Sequence, residues 1–396
     1  MKWTECHGGI PIKGWCENPE ESAMAQARNL SNLPFAFHHV ALMPDCHTGF
    51  GMPIGGVLAT KGVVIPFAIG LDIGCGMHAI KTNIKEIDPD TLKKIYNSIL
   101  MDIPVGYHHH EKPCDDSLMP WRPYHDHVEE VCAAEYQSAK HQMGTLGGSN
   151  HFIELQKDTT GNIWIMIHSG SRNLGKKVCE HYHKIAIELN ERWFSSVPTD
   201  WKLAFLPLDS EEGHAYWSEM QFCLKFANTS RQMMGFAVSR IMEEFVPGCQ
   251  RTAVYDVHHN YAEIENHYGK NVIIHRKGAT KAYDGDICII PGSQGTKSYM
   301  GFGKGNLESF MSCSHGAGRA MSRTKAKEML DLEAEVKQMD DQGIIHGMKT
   351  RDDLDEAAGS YKSIDEVMLA QEDLVQVITE LKPVLVVKDH EKRERR

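Results

Sequence analysis

Segments that would mark a secreted or membrane protein are missing from the 396 residues of the chain. The first 21 residues contain no apolar stretch of the kind found in signal peptides, and we therefore expect none. The most apolar run, residues 62–70, is short and contains Pro66, so it predicts a buried strand rather than a membrane span. The sequence thus predicts a cytoplasmic protein that does not associate with membranes.

Sequence motifs of several enzyme and metal-binding classes are also missing. The eleven cysteines form no CxxC pair, which disfavours a zinc ribbon, and without a signal segment they are expected to be reduced thiols or metal ligands. The chain has no GxSxG element of a serine esterase. The loop GSQGTKS lacks the spacing of a Walker A phosphate-binding loop.

The net charge of −11 gives only weak evidence against binding to nucleic acid. A phosphate backbone needs positive charge locally, and basic residues cluster at Arg319, Arg323, Lys325 and Lys327. Bound divalent cations would also reverse the local sign of the charge. We therefore treat net charge as a caution about RNA or DNA as a partner and not as an exclusion.

The pattern of apolar residues predicts a mixed α+β fold in one integrated domain. No internal repeat or long low-complexity linker divides the chain, so we expect one domain over residues 1–388 and a frayed, charged tail at 389–396. Residues 102–135 predict mostly loop. We predict strands within residues 36–84 and at 163–167, 252–259, 271–276, 286–290 and 384–388, and helices at 176–194, 214–245, 319–339 and 363–381.

Four short motifs carry residues of metal-ligand type. Asp72 and Cys75 lie three residues apart in the glycine-bordered turn LDIGCGM, and a thiolate can bridge two cations. The alternative is an ordinary loop acid beside a buried cysteine, since free cysteine is most often a small buried hydrophobe. His151, His168 and His259 each stand at the end of a predicted strand, next to a polar turn. Each could be an ordinary core histidine, but nitrogen, sulfur and carboxylate ligands together suit Mn²⁺ or Zn²⁺.

His315 lies in the open stretch SCSHGAGR and has the features of a nucleophile. A neutral imidazole can attack phosphorus, and Gly316 and Gly318 allow a close approach of substrate. Arg319 can compensate the charge that develops on phosphate. The loop at residues 291–306 is rich in small residues and could either cradle phosphate or be an ordinary surface loop.

In this order, the motifs DIGCGM, GSNHFIE, HSGSR, HHNY, GSQGTKS and CSHGAGR resemble those of the RtcB-type RNA ligases. The resemblance extends from PDCHTGFG at residues 44–51 to VVK at 386–388. It implies an α+β domain whose mixed sheets are flanked by helices around a central cleft for metal and nucleotide. It also implies a GTP-dependent enzyme that joins RNA 3′-phosphate or 2′,3′-cyclic phosphate ends to 5′-hydroxyl ends in tRNA splicing or RNA repair.

The resemblance also implies roles for individual positions. His315 corresponds to the histidine that becomes guanylylated. The ligands of two Mn²⁺ ions would be Asp72, Cys75, His151, His168 and His259. The GTP pocket would contain Asn150, Glu154, His259, Asn260, Pro291, Gly292, Ser293, Ser298, His315, Gly316, Ala317, Gly318, Tyr361 and Lys388. The RNA ends, or groups behind the ligands, would involve Asp45, His47, Arg172 and Arg319.

Two other functions remain open at the level of sequence. A di-metal phosphodiesterase or phosphatase could use the same ligands on RNA ends without guanylylation, although it would not need a nucleotide pocket. A non-catalytic RNA-binding metalloprotein is the other alternative. Apart from RNA and GTP, the resemblance implies an archease-type activator as a partner, and we expect a monomer.

Overall fold

The computed structural model describes residues 1–6, 8–120 and 130–389, and within these ranges the fold is the predicted mixture of helices and strands. Its strands are β1 Trp3–Glu5, β2 Ile12–Gly14, β3 Ala36–His47, β4 Ile54–Thr60, β5 Val63–Val64, β6 Gly76–Thr82, β7 Phe152–Asp158, β8 Ile163–Ser169, β9 Leu206–Pro207, β10 Arg251–His258, β11 Asn260–His267, β12 Lys270–Lys277, β13 Ala279–Lys281, β14 Ile287–Ile290, β15 Ser298–Gly303, β16 Ser312–Ser314 and β17 Val375–Val387.

Helices flank the sheets and join their strands. They are α1 Glu21–Ser31, α2 Pro66–Ile69, α3 Pro89–Asp102, α4 Glu130–Gln142, α5 Arg172–Arg192, α6 Glu211–Phe245, α7 Arg323–Met329, α8 Leu332–Asp340 and α9 Ile364–Ala370. Short 3₁₀ turns occupy Asp116–Leu118, Thr199–Trp201, Leu307–Ser309, Arg351–Glu356 and Ala358–Ser360. In the described part of the chain, no helix is both long and apolar enough to cross a bilayer.

Two large sheets organise the described residues: the first is mixed, because β2 pairs with β3 in parallel, and the second is antiparallel throughout. One sheet has the strand order β1-β2-β3-β4-β12-β11, and the other has the order β10-β6-β8-β7-β17-β15-β14. The long helix α6 packs on β6 and β8 of the second sheet, and its apolar residues recur at three- and four-residue spacing. Ser210 caps this helix by accepting a hydrogen bond from the backbone N–H of Gly213.

Between β10 and β11 the chain passes directly from the second sheet to the first, and the one residue that links the two strands is a candidate metal ligand. Strand β10 ends at His258 in the second sheet, and β11 begins at Asn260 in the first sheet. His259 is the residue between them, and its backbone N–H donates to the carbonyl of Cys75 at 2.9 Å. The two sheets therefore meet at the position where a metal ligand is expected.

Three predicted elements differ from the structure. The helix expected at residues 363–381 ends at Ala370, and residues 375–387 form β17 between β7 and β15. The β-branched residues of VQVITEL suit this strand, and pairing on both sides overrides the helical spacing. The helix expected at 319–339 begins at Arg323 and breaks after Met329, because Ser322 and Asp331 each cap a new helix.

The third difference is the apolar run at residues 62–70, which is buried as expected but is mainly helical. Only Val63–Val64 forms a strand there, and Pro66 starts α2, where its fixed φ suits a first helical turn. Part of the predicted loop at 102–135, residues 121–129, lies outside the described ranges. So do residues 390–396 of the predicted tail, and the domain boundary at residue 388 stays a prediction.

One buried cation holds the loops that carry the candidate ligands. The guanidinium of Arg231, on α6, is fully buried. It donates to the backbone carbonyls of Gly74 at 2.8 Å and Ser169 at 2.9 Å, and to both carboxylate oxygens of Asp256. Gly74 immediately precedes Cys75, and Ser169 immediately follows His168. Arg231 thus fixes two ligand-bearing turns at once.

We predict that Arg231→Met lowers the thermal midpoint of unfolding by several degrees. The substitution removes one partner of a buried ion pair, which costs about 3–5 kcal/mol in comparable cases. Arg231→Lys keeps the charge but loses the forked geometry, and we expect an intermediate loss. Arg240→Met is the matched control, because Arg240 lies on the same helix in an exposed ion pair with Asp102. Equal midpoints for the Arg231 and Arg240 variants would contradict the proposal that Arg231 holds the two ligand-bearing turns in place.

Candidate active site

Strand pairing brings the candidate metal ligands to one edge of the second sheet. Cys75 precedes β6, His151 precedes β7, and His168 lies near the end of β8. In the register of these strands, Gly76 lies opposite both Ser169 and His258, and Phe152 lies opposite His168. Strands that start and end at the same edge therefore deliver a thiol and three imidazoles to one place.

The ligand atoms face each other at short range. Cys75 Sγ lies 3.2 Å from His168 Nε2 and 3.5 Å from His151 Nε2. His168 Nε2 lies 3.2 Å from His259 Nε2, and His151 Nε2 lies 2.9 Å from Asp72 Oδ2. Potential ligand atoms of Cys75, His151 and His168 all lie within 4.8 Å of one another, as around a bound cation.

A hydrogen bond orients one of these imidazoles for metal binding. A carbonyl oxygen can only accept, so the Nδ1–H of His168 donates to the carbonyl of Asn150 at 3.1 Å. In the neutral ring Nε2 keeps its lone pair and faces the cluster, which is how metal-ligating histidines are usually held. His151 also turns Nε2 toward the cluster, where it lies 2.9 Å from the carboxylate of Asp72, and its Nδ1 lies 3.1 Å from the carbonyl of Leu146 and 3.0 Å from the guanidinium of Arg172.

The cluster also has the electrostatics of a cation site. Burial lowers the pKa of His168 and of His259 well below the ordinary value, so both rings are neutral and can coordinate. Burial opposes ionisation of Asp72, but hydrogen bonding and charge from His151 keep its pKa below the ordinary value. Within the described residues, Asp72 Oδ1 and His259 Nδ1 are buried without a hydrogen-bond partner. These groups fit a divalent cation.

Cys75 needs that cation to become a ligand. Burial, together with the negative charge of Asp72, raises the pKa of its thiol well above the ordinary value. A bound divalent ion reverses this effect, because it stabilises the thiolate directly. Metal binding at Cys75 is therefore expected to release a proton.

Nearly all of the other candidate residues line one cavity of about 910 Å³ with the ligands. Two of them lie behind its wall. Asp45 is fully buried beneath His315, and Ser298 is buried where its Oγ accepts hydrogen bonds from Gly292 N–H and the Gln156 amide. The candidate residues in the lining of this cavity are His47, Asp72, Cys75, Asn150, His151, Glu154, His168, Arg172, His259, Asn260, Pro291, Gly292, Ser293, His315, Gly316, Ala317, Gly318, Arg319, Tyr361 and Lys388.

His315 is held by Asp45, the aspartate of the motif PDCHTGFG at residues 44–51. Asp45 Oδ2 lies 2.6 Å from His315 Nδ1 and accepts the His315 backbone N–H at 3.1 Å. Because a carboxylate can only accept, Nδ1 carries the proton, and Nε2 of the neutral ring keeps a lone pair. Gly318 makes this contact possible: its φ is +72°, and a Cβ there would lie 2.2 Å from the carbonyl oxygen of Asp45.

His315 also adjoins the metal cluster. Its ring centroid lies 4.8 Å from that of His259. The side chain is only partly exposed, at 15%, so its ring is accessible to a ligand within the cavity and is otherwise enclosed. The candidate nucleophile and the candidate metal ligands therefore share one wall of the cavity.

A buried carboxyl lies beside a lysine at another part of the cavity wall. Burial raises the pKa of Glu154 to about 7, against the opposing effects of Gln156 and Lys388. The Nζ of Lys388 lies 5.7 Å from the ring centroid of Phe152, which also lines the cavity. A carboxyl, an ammonium and an aromatic face are groups that can recognise the edge and the plane of a nucleobase.

Glu356 is a cavity residue that the sequence analysis did not identify. Its carboxylate is 5% exposed and accepts the phenolic O–H of Tyr361 at 2.5 Å. Arg319 and Arg323 lie 3.4 and 3.5 Å from one carboxylate oxygen, and Lys388 lies 3.6 Å from the other. No motif marks Glu356, because its three cationic partners come from distant parts of the chain and only the fold assembles them.

Two further cations of the cavity are Arg172, which is partly buried, and Lys277, which is buried, and only Arg172 was expected. Its guanidinium lies 3.0 Å from His151 and fills space that a Cβ at Gly147 would occupy. Arg172 itself has a positive φ of 60°, a strained conformation of the kind often found at functional sites. Burial lowers the pKa of Lys277 to about 7, and its ammonium donates to two backbone carbonyls.

Asn260 and His47 lie in the cavity wall with their polar groups partly engaged. The amide of Asn260 donates to the carbonyl of Asp72 and accepts the N–H of Gly278, so it ties the ligand loop to the start of β13. His47 Nδ1 donates to the carbonyl of Asp45, and burial lowers its pKa to about 4. Both side chains therefore help to shape the cavity.

Comparisons with known proteins give a consistent family. The family model described as "tRNA-splicing ligase RtcB" matches residues 26–389. The chain is 37% identical over 403 residues to the RNA-splicing ligase RtcB of Escherichia coli K12, which covers 96% of this chain and 97% of that protein. It is 31% identical over 442 residues to the tRNA-splicing ligase RtcB of Thermococcus kodakarensis, which covers 93% and 91% of the two chains.

We predict that Cys75→Ala removes bound divalent metal from both positions of the cluster, because a bridging thiolate is lost. The measurement is the metal content of the purified protein after incubation with Mn²⁺ and desalting. Cys114→Ala is the control, because Cys114 is a partly exposed cysteine outside the cavity. Two ions still bound to the Cys75 variant would disprove the bridging role.

Proposed function

The chain belongs to the RtcB family, and from this premise we propose that it is a GTP-dependent RNA ligase. It joins an RNA 3′-phosphate, or a 2′,3′-cyclic phosphate, to a 5′-hydroxyl end. The reaction passes through a covalent GMP adduct of His315 and an activated RNA end. The observation that carries this proposal is the pairing of His315 with Asp45 beside the metal-type cluster.

The His315–Asp45 pair supports a nucleophile that needs no further base. The hydrogen bond from Nδ1 to Asp45 leaves the lone pair of Nε2 for attack on the α-phosphorus of GTP. A P–N bond forms and pyrophosphate leaves. The positive charge that develops on the imidazole is stabilised by the buried carboxylate of Asp45, as in other histidine–aspartate pairs.

The cluster supports the proposal of a site for two Mn²⁺ ions. Asp72, Cys75, His151, His168 and His259 would hold them, and such ions neutralise the charge of triphosphate and of the reacting phosphates. Arg172, beside His151, adds a fixed positive charge. These residues bind and orient the substrates without providing a nucleophile of their own.

The remaining steps transfer GMP and then release it. An oxygen of the RNA 3′-phosphate attacks the phosphorus of the His315 adduct, the P–N bond breaks, and the RNA end carries GMP through a new P–O–P bond. The 5′-hydroxyl of the second strand then attacks the RNA phosphate. A 3′,5′ bond forms, GMP leaves, and the hydroxyl proton passes to solvent.

The groups around Glu356 support a guanine pocket in the same cavity. Guanine offers N–H donors on one edge and a carbonyl acceptor, which can be met by the carboxyl of Glu154 and the ammonium of Lys388. Tyr361 is oriented by its hydrogen bond to Glu356. The other expected pocket residues are Asn150, Asn260, the loop 291–293 and the backbone of 316–318, all of which line this cavity.

Several finer statements rest on family membership. They concern the metal, which we propose is Mn²⁺, and the requirement for an archease-type activator. They also concern the location, oligomeric state and process, which we propose are the cytoplasm, a monomer, and tRNA splicing or RNA repair. Each remains a proposal for this chain.

The test of the proposed function is incubation with α-labelled GTP and Mn²⁺, followed by a denaturing gel. We predict label that stays on the wild-type protein, is lost in acid and survives alkali, as expected of a phosphoramidate. His315→Ala should bind metal normally and take up no label. Ligation by this variant at the wild-type rate would refute the nucleophile. Hydrolysis of RNA 3′-phosphates without any labelling would favour a phosphatase.

We predict that Asp45→Asn slows labelling by roughly 10²–10⁴-fold while metal content stays unchanged, since it removes the charge that fixes the tautomer of His315. The measurement is the initial rate of label uptake, with bound metal determined on the same sample. Asp341→Asn, at an exposed aspartate, is the control. A normal labelling rate in the Asp45 variant would show that Asp45 does not position the nucleophile.

A further inference from the structure

Phe50 is an exposed aromatic residue at the mouth of the catalytic cavity. Its side chain lines this cavity together with the candidate ligands, yet the residue is 58% exposed. It also lines an adjoining cavity of about 420 Å³, which shares Phe67 and Leu71 with the catalytic one. The ring therefore lies where this adjoining cavity, which we call the groove, meets the catalytic cavity. Because the ring is mostly exposed, core packing does not explain an aromatic residue at this position.

The backbone that carries Phe50 is held from two sides. The buried ammonium of Lys277 donates to the carbonyl of Phe50 at 2.5 Å and to that of Phe67 at 3.0 Å. Gly51 has a φ of +69°, and a Cβ there would lie 2.5 Å from the carbonyl oxygen of Lys202. The loop is thus fixed while the ring is accessible, so a ligand that stacks on it has little ordering cost.

One ammonium lies near the ring, and further cations line the same cavity. The ammonium of Lys202 lies 5.1 Å from the ring centroid of Phe50. Lys176 and Arg172 line the catalytic cavity together with the candidate ligands. Glu180 brings a negative charge into the groove, but Lys176 lies 3.9 Å from its carboxylate and offsets it. An aromatic face among cations is the combination that binds single-stranded nucleic acid.

Phe50 and the proposed guanine pocket lie on different sheets. Phe50 is in the loop between β3 and β4 of the first sheet, whereas Glu154 and Lys388 lie on and just after strands of the second sheet. The candidate metal ligands lie at the edge where the sheets meet. A guanine base held by Glu154 and Lys388 would therefore leave the Phe50 side open to the other substrate.

We propose that Phe50 is a stacking platform for the unpaired base of an RNA end next to the ligation junction, with Lys202 and Lys176 facing its phosphates. The inference rests on the proposed function and adds an RNA subsite to it. The platform acts on binding and positioning of RNA and takes no part in the transfer of GMP to His315.

The experiment uses short single-stranded RNA that carries 2-aminopurine as the base nearest the 3′-phosphate or, in a second substrate, nearest the 5′-hydroxyl. Binding is followed by fluorescence with the full-length protein and Mn²⁺, without GTP. Stacking on Phe50 should quench one of the two probes. Phe50→Ala should lose the quenching and weaken RNA binding about five- to a hundredfold, and Phe50→Trp should restore both.

Two matched variants complete the design. Phe194→Ala removes a phenylalanine that is 92% exposed and outside both cavities, and it should bind RNA like the wild type. Lys202→Met should lower the dependence of log K on log salt by about 0.7, the contribution of one phosphate contact on a single strand. An unchanged salt slope would remove Lys202 from the subsite.

The outcomes separate this inference from the proposed function, because label transfer from GTP involves no RNA and is measured for every variant. Wild-type protein that takes up no label would count against the ligase. Normal labelling with equal RNA binding by wild type and Phe50→Ala would overturn the platform. Loss of labelling together with RNA binding in Phe50→Ala would indicate a structural role and would also overturn it.

Discussion

The buried guanidinium of Arg231 is the constraint on which the arrangement of the site depends. It binds the carbonyls that flank Cys75 and His168, and it is neutralised by Asp256 on the neighbouring strand. A fully buried cation is stable only when all of its donors are used, so the two ligand-bearing turns and β10 can be assembled in one way only. The cation site is in this sense a consequence of how α6 packs on the second sheet.

Each sheet supplies one half of the proposed chemistry. The second sheet brings the thiol and the imidazoles of the cluster to one edge, and β3 of the first sheet ends beneath His315 with Asp45. His259 lies where the chain crosses between the sheets and adjoins both the cluster and His315. The candidate nucleophile and the candidate metal ligands are therefore kept at a fixed separation by the contact of two sheets and not by a flexible loop.

Local charge in the cavity differs from the charge of the whole chain. The net charge is −11, yet Arg172, Lys176, Arg323 and Lys388 all line the catalytic cavity. The carboxylate of Glu356 lies within 3.6 Å of two of these cations, Arg323 and Lys388. A negatively charged protein can thus present a positive site to two polyanionic substrates, because the field at short range is set by the nearest groups.

The sequence alone predicted the fold class and singled out the residues to which metal and nucleophile chemistry is assigned, because short motifs around Cys75, His168 and His315 are local. It could not identify Glu356, Lys277 or Arg231, most of whose partners are distant in the chain, and it predicted a helix where residues 375–381 form part of a strand between two others. Only the tertiary structure decided which ring nitrogens face the cluster, that Asp45 lies under His315, and that Phe50 stands exposed at the cavity mouth. The physical reason is that hydrogen-bond direction, burial and local charge depend on neighbours that come together only when the two sheets pack.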